Sequence, residues 1–300
     1  IKREFVENDG VKMGSLIDDL LFEPKSFKDK YFTFDGDKPT ASLGKLTDII
    51  LANYKKLPSK QVILKIVREN EFWKRSHDNT ILPYITNPDF INYIKAQYQS
   101  NNKTLLTTKE LALGADVANT LRIHKFSKHI INTELENYNQ FKFKIKYKGI
   151  YIRGIIDKII IDHENKTVQI LDLKTGKNKA EEFETSFIKW RYYLQEAVYM
   201  KAFRKICNEF KLKGYTLLPF QFLYISITQK IPYLFTVTEK WHKAALNGFK
   251  TGMGYRYKGL DELIDNIKWH YTNDVFDMSK FVYENNGKVR INDEFIKINK

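Results

Sequence analysis

FKFKIKYKGIYIRGIIDKIIIDHENKTVQILDLKTG, residues Phe141–Gly176, is the stretch whose reading decides the fold. Phe141 to Tyr147 alternates apolar residues with lysine, the period of two of a half-buried antiparallel strand. Lys148-Gly149 turns the chain. From Ile150 to Ile161 nearly every side chain is apolar or β-branched, as in a strand covered on both faces, yet the run contains the carboxylate of Asp157. Such a placement is costly without a partner. After the polar turn Asp162-His163-Glu164-Asn165-Lys166, a third strand, Thr167 to Lys174, ends in Asp172-Leu173-Lys174. Residues two apart on a strand share a face, so Asp172 and Lys174 point the same way, roughly 6 to 7 Å apart.

Two carboxylates on neighbouring strands with a lysine beside one of them suit a hard divalent cation, magnesium or manganese, and a managed water. The lysine orients that water or offsets charge on phosphorus. Taken singly, Asp157 and Asp172 also read as strand-edge acids paired with nearby lysines. Taken together, with the Thr175-Gly176 turn that follows, they fit a metal site better.

The arrangement resembles the PD-(D/E)XK nuclease superfamily, and within it the RecB-like and phage RecE-like exonucleases, whose core reads G-x-x-D, a hairpin, then D-x-K-T-G. Those residues are Gly154, Asp157, Asp172, Lys174, Thr175 and Gly176, with Ile156 where the superfamily name has proline. RecB-like nucleases add Q-x-x-x-Y on the following helix, matched by Gln195 and Tyr199, which share one helix face. The RecE-like pattern G-T-x-x-H-x-x-x-L-E-P is matched by Gly14, Glu23 and Pro24, with Asp18 in the place of the metal-ligating histidine. Asp18 and Asp19 also read as solvated acids of a helix's first turn. Where RecB-like enzymes often carry a glutamate at the start of the first strand, this chain has Gln140, a poorer ligand that can hydrogen-bond a metal-bound water.

The chain has 300 residues, 43% hydrophobic and 14% aromatic, enough for a real core, and it reads as one nuclease domain over 1–300. Within it fall a helical insertion at 39–132, a catalytic core at 133–238, and C-terminal helices and tail at 239–300. Fifty lysines and arginines against 36 acids give a net charge of +14, which favours a polyanionic partner. A single cysteine, Cys207, excludes an intrachain disulfide and a four-cysteine cluster made by one chain. No apolar run approaches a membrane span and no leader opens the chain, so the expected setting is cytoplasmic, the host's cytoplasm if the gene is a phage's. The chain opens on Ile1, not methionine, which leaves room for a preceding segment.

In chain order, Leu16 to Phe22 reads as a short amphipathic helix capped by Ser15 and ended by Pro24. Leu43 to Tyr54, Gln61 to Trp73, Pro88 toward Tyr98, and Leu111 to Phe126 behind a Thr107–Glu110 capping box have helical spacing. One helix is expected from Thr185 or Ser186 to about Phe210, burying Phe187, Trp190, Leu194, Ala197, Val198 and Phe203. Strands follow at Phe220 to Ile227 and Tyr233 to Val237, helices at Glu239 to Gly252 and Leu260 to Tyr271. Gly254 to Gly259 reads as a helix connection or a base-stacking loop. Asp274 to Lys300 reads as a loose tail with a short strand at Val289 to Ile291. None of the six histidines has a partner at ligand spacing.

The expectation is an α/β protein with a mixed central sheet flanked by helices, the restriction-endonuclease-like core, carrying a helical insertion. The resemblance implies Mg2+-dependent hydrolysis of DNA from duplex ends, with Mn2+ able to substitute, for phage-type recombination or replication. Asp157, Asp172, the Leu173 carbonyl and Asp18 would hold the metal, Lys174 would position the water, and Gln195 and Tyr199 would orient the DNA or the D-x-K segment. A single-strand annealing protein, a homo-oligomeric ring and no membrane complete the partners so implied. An endonuclease on the same scaffold and a DNA-binding protein that no longer cleaves remain alternatives.

Overall fold

The computed structural model describes residues 9–207, 210–252 and 254–288, which fall into two compact units. The first comprises 1–132, 174–177 and 225–233; the second comprises 133–173, 178–224 and 234–300. The strand expected at Val289 to Ile291 lies outside the described residues.

The first unit is mostly helical: α1 (Asp9–Phe22), α2 (Phe27–Lys30), α3 (Ala41–Asn53), α4 (Lys60–Glu69), α5 (Asp78–Ile85), α6 (Pro88–Gln99), α7 (Thr108–Ile123) and α8 (Lys128–Ile131). Two four-residue strands, β1 (Tyr31–Phe34) and β2 (Thr104–Thr107), pair in parallel. Helices α3 to α6 enclose one core built on Leu46, Ile50, Ile63, Val67, Ile81, Ile85 and Ile94. The capping box forms as expected: the Glu110 N–H donates to Thr107 Oγ1, and Glu110 Oε2 accepts from the Thr107 N–H. Ser15 caps nothing, because it lies mid-helix within α1. Two glycines set the packing of α1. A Cβ on Gly114 of α7 would sit 2.6 Å from Leu16 Cδ2, and one on Gly14 would sit 3.2 Å from Thr175 Oγ1. Gly14 and Thr175 therefore lie in close approach.

The second unit is built on β3 (Glu136–Tyr147), β4 (Ile150–Asp162) and β5 (Thr167–Gly176), the last three residues of which, from Lys174 on, count with the first unit. β6 (Thr216–Leu217), β7 (Gln221–Ser226) and β8 (Pro232–Thr236) complete a six-stranded mixed sheet of order β3-β4-β5-β7-β8, with β6 parallel to β5. Its helices are α9 (Phe183–Lys189), α10 (Tyr192–Ile206), α11 (Glu239–Asn247), α12 (Leu260–Asn273) and α13 (Lys280–Glu284). The fold is the α/β class expected, a mixed central sheet with helices around it. Sheet residues Phe143, Ile145, Ile156, Ile159, Ile161 and Ile170 share a core with Ala197, Tyr199, Met200 and Phe203 of α10. Burying each isoleucine, phenylalanine or methionine among them contributes about 1.5–3 kcal/mol.

The helix expected from Thr185 to Phe210 is two helices. Arg191, at φ 59°, takes the left-handed conformation between them, and Trp190 is turned out, 62% exposed, instead of buried. Neither glycine nor proline marks that break. α11 ends at Asn247 rather than Gly252, because Gly248 leaves the helix at φ 86°. The next residues form a small antiparallel hairpin, β9 (Phe249–Lys250) with β10 (Arg256–Tyr257), whose rings stack at 5.1 Å. Gly254–Gly259 thus carries the two-residue strand β10, and part of the expected tail is α13.

Candidate active site

The site is placed by an irregularity in the hairpin. Ile156 and Ile159 are three apart on β4 yet enter one core, so side-chain alternation changes phase between Ile156 and Asp157. The same happens opposite: Tyr138 and Phe141, three apart on β3, both pack against Phe210, at 5.0 and 5.4 Å. Gln140 is the one β3 residue missing from the register with β4, and it sits at φ 49°. A non-glycine residue held there costs on the order of 1–3 kcal/mol.

That phase change lets the Asp157 side chain do the work of a ladder bond. The β4–β5 register ends at Lys158↔Leu171, and beyond it the Leu173 N–H donates 2.8 Å to Asp157 Oδ2. Gln140 Nε2 lies 3.5 Å from Asp157 Oδ1, at the outer limit of a hydrogen bond. Asp157 is half-buried and clamped to the main chain between Asp172 and Lys174.

Asp172 is buried, 1% exposed. Gln195 Nε2 donates to its Oδ1 at 2.6 Å and to the Tyr199 hydroxyl oxygen at 2.8 Å. One helical turn between Gln195 and Tyr199 makes this possible, since positions four apart stack on one face. The Tyr199 ring meets Phe143 edge-on at 5.8 Å. Phe143 in turn lies over Gly154, where a Cβ would come within 2.6 Å of the ring. Gly154, Phe143, Tyr199, Gln195 and Asp172 thus form one continuous run of contacts from β4 to β5 through α10.

A second support of α10 was not legible in the sequence. Glu196, 1% exposed, takes a hydrogen bond from His242 Nδ1 of α11 at 2.7 Å. Arg204 Nη1, a donor only, lies 3.3 Å from His242 Nε2, so that nitrogen accepts and Nδ1 carries the proton. Lys158, next to Asp157 but on the other face, is 3% exposed and donates to Asn137 and Asn139 Oδ1 at 3.0 and 2.9 Å. Burial lowers its pKa from 10.5 to about 8.

Among the sequence-expected residues, Asp157, Asp172, Leu173, Gln195 and Tyr199 are brought together in the second unit. Lys174, half-buried, follows directly on β5. Asp18 is half-buried on α1, in the first unit. Its neighbour Asp19 has a structural role: Oδ1 takes a hydrogen bond from Lys30 at 2.6 Å and Oδ2 from the Tyr31 hydroxyl at 2.8 Å. Among the described residues no group of three or more His, Cys, Asp or Glu side chains gathers as a metal cluster. What the second unit sets at adjacent strand ends is two carboxylates, Asp157 on the Leu173 N–H and Asp172 on Gln195. Those donors are all hard oxygens, the set that suits magnesium, manganese or calcium rather than zinc or copper.

A sequence profile of the PD-(D/E)XK nuclease superfamily matches residues 39–265. A search of curated proteins found no match. Among solved structures, a crystal structure of a candidate exonuclease from Eubacterium rectale is 12% identical, covering 97% of this chain and 96% of its own with a TM-score of 0.40. That degree of likeness bears on neither fold nor activity. The profile spans most of the chain and takes in the hairpin, the Asp172-Leu173-Lys174 strand end and the Gln195–Tyr199 helix: the chain belongs to the PD-(D/E)XK nuclease superfamily.

Proposed function

We propose that this nuclease is a divalent-metal-dependent exonuclease that hydrolyses DNA phosphodiester bonds from duplex ends. The observation that carries the reading is the pairing at the strand ends: Asp157 clamped to the Leu173 N–H, and Asp172 held by Gln195. Asp157, Asp172 and the Leu173 carbonyl would hold Mg2+, with Mn2+ as a substitute, and Asp18 is proposed as a further ligand. A cation bound there polarises a phosphoryl oxygen and lowers the pKa of a bound water.

The remaining work belongs to the chain. Lys174 orients the attacking water and offsets charge on the phosphoryl oxygens. Gln195 fixes the rotamer of Asp172, so the carboxylate is presented without reorganisation, and Tyr199 holds Gln195. Gln140 hydrogen-bonds water beside Asp157. A cytoplasmic setting, a role in phage-type recombination or replication, a single-strand annealing partner and a homo-oligomeric ring belong to the same proposal. It also keeps one nuclease domain over 1–300, with the insertion at 39–132, the core at 133–238 and the C-terminal segment at 239–300.

The test is cleavage of DNA by Asp172→Asn and Lys174→Ala. Each changes charge at the site without emptying core volume. Lys174→Ala should lower kcat about 10²- to 10³-fold, the cost of losing one group that stabilises developing charge. Asp172→Asn should lower it further and weaken Mg2+ binding measured by calorimetry. Wild-type turnover by either variant sinks the assignment.

A further inference from the structure

The half of the hairpin nearest its turn presents a face that the proposed chemistry does not use. Between Phe141 and Ile156 there is no acidic residue, whereas Lys142, Lys144, Lys146 and Arg153 are all exposed. The register sets them in order, with Lys142 opposite Ile155, Lys144 opposite Arg153, and Lys146 opposite Tyr151. Among the described residues none of these four cations is in a salt bridge. Lys148, at the turn, is instead engaged by Asp265 of α12 at 2.7 Å.

Two exposed apolar side chains interrupt the charge. Tyr151 is 65% exposed and Ile155 40%. The ammonium groups of Lys144 and Lys146 stand 4.9 and 5.7 Å from the centre of the Tyr151 ring, so the ring is already a cation-binding surface. Phe143, Ile145, Ile152 and Ile156 point the other way, into or against the core, so the face is backed by buried neighbours. Its last cross-strand pair, Lys142–Ile155, lies two residues, about 6.8 Å along the strand, from Gln140 and Asp157, and the phase change there sets Asp157 on the core side, away from this face.

We infer that this outer face of the β3–β4 hairpin is a docking surface for a single strand of DNA. Charge complementarity names a polyanion. The form of the surface names a single strand: three lysines recur in line at about 6.8 Å, which follows one backbone, and an exposed ring on a pleated face stacks a base that a duplex would keep covered. The partner follows from the nuclease reading of Asp157 and Asp172, and the surface is where an unpaired tail at a duplex end would lie.

The experiment is fluorescence anisotropy of a short labelled oligothymidine with the full chain in EDTA, so that nothing is cut, titrated between about 50 and 200 mM salt. The variants are Tyr151→Ala and the fourfold change of Lys142, Lys144, Lys146 and Arg153 to glutamine. At about 0.7 per cation for a single strand, the fourfold variant should flatten the slope of log K against log salt by about 3. Tyr151→Ala should weaken binding about 5- to 150-fold. Both should keep wild-type Mg2+ affinity by calorimetry, since none of these residues is a proposed metal ligand. Binding of the oligothymidine by both variants with wild-type affinity and slope overturns the surface, whatever the protein cleaves. A wild-type protein that binds it in this way but cuts no DNA overturns the nuclease reading and leaves the surface standing.

Discussion

Lys158 is held charged or neutral by its surroundings more than by its chemistry. Its pKa falls from 10.5 to about 8 because the ammonium is buried. Below pH 8 the folded and unfolded chains both carry the proton, and the folded chain bears the full cost of desolvating it. Between about pH 8 and 10.5 the folded chain releases the proton while the unfolded chain keeps it, so this residue makes stability rise with pH across that window, by about 3 kcal/mol at most. Lys158→Met should raise stability at pH 7 by about 1–3 kcal/mol and remove that rise. Urea unfolding at pH 7 and 9.5 reads both effects, and an equal rise in wild type and variant contradicts the account. At α1, Asp19→Ala breaks the contacts to Lys30 and Tyr31 and should lower stability without altering the metal requirement. Asp18→Ala should raise the Mg2+ concentration needed for half-maximal cleavage if the proposed ligand role holds; identical Mg2+ titrations for both variants return Asp18 to the surface of its helix.

At the level of elements, local period was legible and long-range pairing was not. The three core strands, the capping box at Thr107 and the Gln195–Tyr199 stack are all written within a few residues of one another. β1 and β2 pair across a separation of 73 residues and are four residues each, too short for alternation to register. The break at Arg191 has no glycine or proline to announce it, and the Glu196–His242 bond joins helices 46 residues apart. Gly154 is a case where both scales meet. The motif made it visible, but only the structure gives its reason: space for Phe143, which supports Tyr199 and through it Gln195. Gly154→Ala should cost about 1–3 kcal/mol through overpacking, and kcat should fall more than KM rises because the disturbance travels to Asp172. A variant that is destabilised but fully active at low temperature would uncouple the two.

For the whole molecule, the net charge of +14 and the superfamily together make DNA binding salt-sensitive, but neither distinguishes an enzyme that needs an end from one that does not. End-dependence is the decisive property. Linear duplex should be degraded progressively with Mg2+, and covalently closed plasmid should survive the same incubation. Rapid nicking or linearisation of closed plasmid favours the endonuclease reading, and inertness on both favours a protein that binds without cutting.

The phase change at Gln140 and Asp157 also explains why the alternating pattern read from sequence starts at Phe141, whereas β3 begins five residues earlier, at Glu136. Tyr138 to Phe141 and Ile156 to Ile159 are each one residue longer than strict alternation requires. Shortened by one residue on each strand, the hairpin would be an unbroken ribbon, simpler to fold and free of a left-handed glutamine. It would also have nowhere to put a carboxylate that reaches across to the neighbouring backbone. Under the proposed function the defect in the ribbon is the seat of the chemistry, and regularising the strands would erase it.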